Sequence, residues 1–301
     1  MSIATLAAHE QRSLEVAMSE YCAELETRAA ALEPEAQRLL AIYSNEAQFC
    51  LRLISPLISH RQRLLEVGSG SGILCAFLHK EGFKIVGLEP TETGFGHMAA
   101  LSAFVRSSPT ISETLDLRDW SIERLEEEDP SEFDFIFSFH VLEHVEDLES
   151  LFGSMSRVLS PDGEMFHLCP NYIVPYEPHF GVPIVYMFPQ MTERVFPKKV
   201  AAARELWESL NYVTAFDLVR LCRDNGLTCS FENGIMAKYT MRAAVDSEFR
   251  SRHKGVIGWL TKVLNANFLK RLANSAPPKF STPMAIRIHH ARAKKNRIIA
   301  S

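Results

Sequence analysis

The sequence lacks several features, and each absence closes a class of function. No two of its six cysteines, Cys22, Cys50, Cys75, Cys169, Cys222 and Cys229, form a Cys-x-x-Cys pair. They therefore read as reduced core thiols rather than as a zinc ribbon or a dithiol redox centre. No long apolar run follows a basic cluster at the N-terminus, where Glu10 and Glu15 stand instead. Neither a secretory signal nor a transmembrane span is visible, and a cytoplasmic enzyme is expected. Positive charge is not in excess: the formal net charge of −5 argues against a broad nucleic-acid footprint. Internal repeats and low-complexity segments are also missing. What remains is a chain of 301 residues, 47 % of them apolar, enough for one large α/β core with appended helices.

The order of elements follows from periodicity. Leu14, Met18, Tyr21, Leu25, Ala29 and Leu32 recur at helical spacing, as do Leu39, Leu40, Tyr43, Ala47, Cys50 and Ile54 after Pro34, which predicts two amphipathic helices in an N-terminal extension over 1–60. From Leu64 onward short apolar runs alternate with helical segments, the pattern of a doubly wound parallel sheet. Strands are expected at Leu64–Val67, Ile85–Leu88, Thr114–Leu117, Phe133–Phe139 and Glu164–Leu168. Helices are expected at Ile73–Lys80, Met98–Arg106 and Leu148–Val158, and the turn Ser160-Pro161-Asp162-Gly163 precedes the fifth strand. Thr214 and Asp217 have the spacing of a capping box, Gly226 that of a C-terminal helix cap, and strands at Thr228–Glu232 and Met284–His289 complete seven. Two segments break this rhythm: 169–210, rich in Pro, Tyr and Phe, expected as a substrate lid, and 242–275, expected as a helical insertion.

The segment Glu66-Val67-Gly68-Ser69-Gly70-Ser71-Gly72 lies between a predicted strand and a predicted helix, where glycines let the backbone turn sharply and approach a ligand. A dinucleotide fingerprint would need Gly or Ala at position 73, and this chain has Ile73, so a nicotinamide cofactor is demoted. Glu89 ends the second strand about twenty residues later, where a carboxylate accepts hydrogen bonds from ribose hydroxyls. With the segment Ser138-Phe139-His140-Val141-Leu142-Glu143-His144-Val145 and the Ser-Pro-Asp-Gly turn, the chain resembles class I S-adenosylmethionine-dependent methyltransferases over roughly Leu64 to Leu168.

The resemblance implies a Rossmann-like, seven-stranded, doubly wound fold with N-terminal helices and two insertions, the catalytic domain covering 61–301. It implies S-adenosylmethionine as cofactor and S-adenosylhomocysteine as product. Glu66, Gly68, Ser69, Gly70, Gly72 and Glu89 would hold that cofactor, Asp119 and Trp120 its adenine, and Phe139 and His140 its methionine end. His144 is expected as a general base for an acceptor hydroxyl, with Glu143 and His179 beside it. Asn171, Tyr172, Tyr176 and Glu177 are expected to form a polar and aromatic acceptor wall.

His140, Glu143 and His144 also match a His-x-x-Glu-His zinc-peptidase pattern, but that pattern needs one helix, whereas His140 directly follows an apolar strand. No metal is assigned. The expected reaction is methylation of a small-molecule or glycan-like acceptor at oxygen, in small-molecule biosynthesis. The alternatives are a metal-assisted RNA 2′-O-methyltransferase, with His179 as an extra ligand, and a non-catalytic cofactor-binding partner subunit. Lys254, Lys262, Lys270 and Arg271 alternate with Val256, Leu260, Val263, Leu264 and Leu272, a basic amphipathic surface through which membrane contact is conceivable. The oligomeric state has no signature in the sequence.

Overall fold

The computed structural model describes residues 3–90, 96–111, 114–128, 132–246 and 277–291. The basic amphipathic segment and most of the second expected insertion lie outside them. Two compact units divide the chain, Met1–Ser138 with Arg157–Glu164 and Phe139–Ser156 with Met165–Ser301.

In the first unit, helix α1 (Ile3–Arg28) leads through a short 3-10 turn to α2 (Pro34–Ile54), which opens on Pro34 in its first turn. Of the predicted stripe, Leu14, Met18, Tyr21, Leu25 and Ala29 are buried and Leu32 is half-buried. Helix α2 packs against α1, α3 (Ile73–Lys80) and α4 (Gly96–Arg106). Tyr21 lies 5.9 Å from the Phe77 ring, so the N-terminal helices share a core with the first crossover helix.

Strands β1 (Arg63–Val67), β2 (Lys84–Leu88) and β3 (Asp116–Arg118) run parallel, with Leu65 opposite Val86 and Gly87 opposite Leu117. Helix α5 (Ile122–Glu128) follows. Strand β4 (Phe133–Phe139) pairs parallel with β1, and its apolar run is buried as a strand covered on both faces must be. Asp134 interrupts that run without leaving its carboxylate unpaired: it accepts the Arg63 N–H at 2.8 Å and the Ser160 hydroxyl at 3.1 Å. The third strand starts two residues later than the apolar pattern predicts and is only three residues long. Its place is set by pairing with Val86–Leu88, and the Arg118 guanidinium closes on the Asp116 carboxylate with two 2.7 Å bonds.

Helix α6 (Leu148–Val158) leads into β5 (Leu159–Cys169), which is longer than expected because strand pairing runs through Ser160–Gly163. The turn expected at Ser160–Gly163 is thus taken into the strand, where a Cβ at Gly163 would come within 2.9 Å of the Ser160 carbonyl oxygen. The seven-stranded sheet has the order β3-β2-β1-β4-β5-β9-β8, ending in the antiparallel pair β8 (Leu227–Phe231) and β9 (Met284–His290).

The second unit departs most from the predicted pattern. The expected lid holds a two-stranded ladder, β6 (Tyr176–Glu177) with β7 (Val182–Pro183), and three short helices, α7 (Pro189–Val195), α8 (Pro197–Ala202) and α9 (Arg204–Glu208). Tyr172, Ile184, Val200, Trp207 and Leu210 are buried together, with Phe180 and Tyr212 against them. An insertion with an apolar core of its own is a folded piece rather than a loose flap. Helix α10 (Ala215–Asp224) opens on the predicted capping box, Thr214 and Asp217 each accepting the other's backbone N–H, and closes before Gly226 at φ +68°. Helix α11 (Ile235–Val245) runs across position 242, where the second insertion was expected to begin.

Candidate active site

The glycine loop belongs to the first unit. Ser69 donates its N–H to the Leu88 carbonyl at 2.8 Å, which fixes the loop over the end of β2, and Gly72 donates to Ser69 at 2.8 Å. Gly72 has φ +74°, and a Cβ there would lie 2.7 Å from a Leu117 methyl carbon. The left-handed conformation therefore favours glycine at that point, and a larger residue would also have to displace the Leu117 methyl. A second hydrogen bond joins the loop to the residue that follows β2, from the Gly70 N–H to Glu89 Oε2 at 2.8 Å.

Two carboxylates flank this loop. Glu66 is buried, its Oε2 has no hydrogen-bond partner, and burial together with the nearby Glu89 charge pushes its carboxyl well above the ordinary range. Glu89 is also raised, by burial first and by Asp119, with the Gly70 amide opposing. A buried carboxylate oxygen without a donor beside left-handed glycines suits a ligand carrying an ammonium group, so the loop fits an amino-acid-bearing cofactor. Asp119 is exposed, and Trp120 is half-buried under the guanidinium groups of Arg118 and Arg124, each 4.8 Å from its ring centroid.

The histidine cluster belongs to the second unit. After β4 the chain turns at His140, which has φ +56° and donates its N–H to the Leu168 carbonyl at 2.8 Å. A single 3-10 turn, Leu142–His144, follows, so His140, Glu143 and His144 do not share an α-helix. Asn211 grips this turn. Its side-chain amide donates to the carbonyls of Leu142 at 2.6 Å and Val145 at 2.8 Å, and its backbone N–H donates to the Glu143 carbonyl at 2.9 Å.

The turn holds the Glu143 side chain at 0 % exposure, with neither carboxylate oxygen hydrogen-bonded. The nearest ring nitrogens are His140 Nδ1 at 3.5 Å and His179 Nε2 at 3.9 Å. Burial pushes this carboxyl up, but the three imidazoles outweigh burial and hold it below the ordinary value. His144 Nδ1 lies 2.8 Å from Ser209 Oγ, and that hydroxyl donates to the Leu206 carbonyl at 2.9 Å. Ser209 therefore accepts, Nδ1 carries the proton, and the lone pair of His144 is on Nε2. Burial holds the His144 ring below its ordinary value, Glu143 opposing.

His179 is fixed the same way. Its Nδ1 lies 2.7 Å from Glu177 Oε1, which also accepts the His179 backbone N–H at 2.7 Å, while Glu177 Oε2 accepts the Tyr172 hydroxyl at 3.1 Å. Burial alone would lower this imidazole, but the Glu177 carboxylate raises it above the ordinary value.

The acceptor wall expected from the sequence is largely spent on architecture. Asn171 is fully buried: its amide nitrogen donates to the carbonyls of Lys279 and Ser281, and its oxygen accepts from the N–H groups of Ile173 and Ala215. Tyr172 and Glu177 are fully buried as well, so none of these three presents surface to a ligand in this structure. Tyr176 is half-buried, and its hydroxyl has no partner. Phe139 packs on Phe166, and His140 Nε2 meets the Tyr239 hydroxyl at 3.0 Å. Sequence reasoning missed Ser209, Asn211 and Tyr239. Each lies more than sixty residues from its partner, so no local spacing could flag it.

Residues 17–230 match the methyltransferase domain family. The chain belongs to that family. It is an S-adenosylmethionine-dependent methyltransferase with the class I fold. An uncharacterized protein of Mycobacterium tuberculosis is 29 % identical over 288 residues, covering 90 % of this chain and 94 % of that one. The human mitochondrial ubiquinone biosynthesis O-methyltransferase is 25 % identical over 174 residues, covering 58 % of this methyltransferase but 43 % of the human protein. Among solved structures, the O-methyltransferase of a Brevibacillus brevis polyketide synthase, in complex with S-adenosyl-L-homocysteine, has a TM-score of 0.50 at 15 % identity, covering 88 % and 79 % of the two chains. No helix among the described residues is long and apolar enough to cross a membrane.

Proposed function

We propose that this methyltransferase methylates an oxygen of a small-molecule or glycan-like acceptor, and that Glu143, His144 and His179 activate that oxygen. The single observation that carries the reading is the tautomer of His144, held by Ser209 with its free lone pair on Nε2. The name of the human relative, an O-methyltransferase, supports the same atom. S-adenosylmethionine, when bound, supplies a methyl group on a sulfonium, already activated for in-line displacement.

The protein's own work is to bind, orient and deprotonate. The amides of the glycine loop and the orphan oxygen of Glu66 receive the amino-acid end of the cofactor, Glu89 its ribose and Trp120 its adenine. His144 Nε2 takes the proton of the acceptor hydroxyl as the new C–O bond forms and the C–S bond breaks, leaving a neutral thioether. Because burial depresses its pKa, the ring is unprotonated at neutral pH and ready to accept. A general base of this kind contributes about two to four powers of ten in rate.

The test is a mass-shift assay over a panel of hydroxylated, aminated and carboxylated metabolites with isotopically labelled cofactor. The expected result is label on an acceptor oxygen, with turnover falling in His144→Ala while cofactor affinity is kept. Label found only on nitrogen or carbon, or an unchanged rate in that variant, overturns the reading.

A further inference from the structure

We propose that Tyr239 is a positioning residue for the methyl transfer, its hydroxyl fixing the His140 proton on the nitrogen that faces Glu143. The role rests on the proposed function, in which that carboxylate and His144 activate the acceptor oxygen. It brings into the reaction centre a helix, α11, that has no other part in it.

Each of the three imidazoles around Glu143 has one nitrogen tied to a partner from a different stretch of chain. Tyr239 in α11 lies 3.0 Å from His140 Nε2, Ser209 after α9 lies 2.8 Å from His144 Nδ1, and Glu177 in β6 lies 2.7 Å from His179 Nδ1. His140 is the ring held the other way round: its tied nitrogen is Nε2, and its Nδ1 faces Glu143 Oε1 at 3.5 Å. A lone pair on Nδ1 would point at a fully buried carboxylate whose oxygens have no hydrogen-bond partner, so the proton belongs there. Nε2 then accepts, and the Tyr239 hydroxyl is the donor.

The backbone is shaped for this contact. Among the described residues, only His140 and Tyr212 hold a left-handed conformation without being glycine, and Tyr212 directly follows Asn211, which clasps the same turn. Such conformations persist where the surroundings over-determine them. For His140 the surroundings are the Leu168 carbonyl on its N–H and the Tyr239 hydroxyl on its ring, the latter from 99 residues away. Tyr239 is carried by a helix whose Ile235 and Ala237 are buried, so it is presented from a fixed support.

The consequence falls on Glu143 and, through it, on His144. With its proton held inward, His140 supports the ionised carboxylate, and that charge favours the proton His144 Nε2 takes from the acceptor. Without the hydroxyl, the His140 proton can move to Nε2 and set a lone pair against the carboxylate. Tyr239 itself exchanges no proton with the acceptor.

The test is nitrogen NMR of the full chain with labelled histidine, recorded from neutral to alkaline pH. The His140 ring is assigned by its loss in His140→Asn, a variant chosen because asparagine tolerates the left-handed backbone. Neutral His140 should carry its proton on Nδ1 in the wild type, and the Nε2-protonated form should appear in Tyr239→Phe. At saturating S-adenosylmethionine, Tyr239→Phe should lower kcat about tenfold with acceptor KM within about twofold. The same substitution should change kcat by less than about twofold where His140 is already asparagine, since its effect runs through that ring. Retained affinity for S-adenosylhomocysteine shows that each variant is folded, and the wild-type spectrum keeps the test open should one not fold. Neutral His140 protonated at Nε2 in the wild type, a tautomer unmoved in Tyr239→Phe, or an undiminished effect in the His140→Asn background each overturns the inference while leaving oxygen methylation intact. Label found only on nitrogen or carbon defeats the functional reading instead, and with it the catalytic consequence of the contact, whereas the spectrum still decides whether Tyr239 sets the tautomer.

Discussion

The glycine loop and the histidine cluster differ in how far along the chain their parts are drawn from. Glu66, Gly70, Gly72 and Glu89 fall in and directly after one strand–helix–strand unit, and the bond from Gly70 to Glu89 spans nineteen residues. The cluster after β4 is set by Ser209 and Asn211, sixty-five or more residues from the groups they hold. A site made from one supersecondary unit depends on backbone conformation. A site made from distant side chains depends on the packing of whatever lies between, here the insertion core around Tyr172, Trp207 and Leu210.

Substitutions can break that contrast at either end. The largest effect is expected from Gly70→Asp, because the residue has φ +54° and its amide faces the Glu89 carboxylate. A second carboxylate there should abolish measurable cofactor binding in calorimetry. His144→Ala should lower turnover by about two to four powers of ten with cofactor affinity within a few-fold of wild type, which places its loss in the chemical step.

Ser209→Ala is a gentler probe of the long-range half. Losing the acceptor that fixes the His144 tautomer should cost about tenfold in turnover with little change in apparent acceptor affinity, and a KM-against-kcat split would separate this positioning role from general loosening.

Two smaller effects test packing rather than chemistry. His167 is fully buried, and burial pushes its ring down to about 3. Its ordinary value is 6.5, so between those two pH values the unfolded chain holds a proton here that the folded chain does not. Stability should therefore fall as pH drops below 6.5, by about 1.4 kcal/mol per pH unit from this group. Denaturant melts of His167→Phe should show a shallower acid limb. Thr214→Ala should cost about 1 kcal/mol in the same assay, through loss of the capping box of α10.

Much of the fold was legible because its signals are local. Helices Ile73–Lys80 and Leu148–Val158 and strand Phe133–Phe139 match their predicted bounds, since unbroken apolar periodicity determines them. The third strand was misplaced because Asp116 and Arg118 carry no apolar pattern and owe their position to pairing with β2. The helices of the insertion are not legible in the sequence because its proline and tyrosine resemble loop composition and each helix is short; they accompany an apolar core that no local pattern announces.

The cluster was half legible. The sequence names His144, Glu143 and His179, which the fold brings together, whereas Asn171, Tyr172 and Glu177, expected on the acceptor wall, are fully buried. Residue type announces hydrogen-bonding capacity, whereas only tertiary packing decides whether that capacity faces a ligand or the protein itself.

The grip of Asn211 on the carbonyls of Leu142 and Val145 constrains how such an enzyme can change its acceptor. A transplant of the 169–210 segment from another methyltransferase would have to leave Asn211, the residue that follows it, within reach of the same two oxygens. Without that contact a new segment would arrive together with a slackened turn, so the segment and the turn are coupled through the residue that follows the segment.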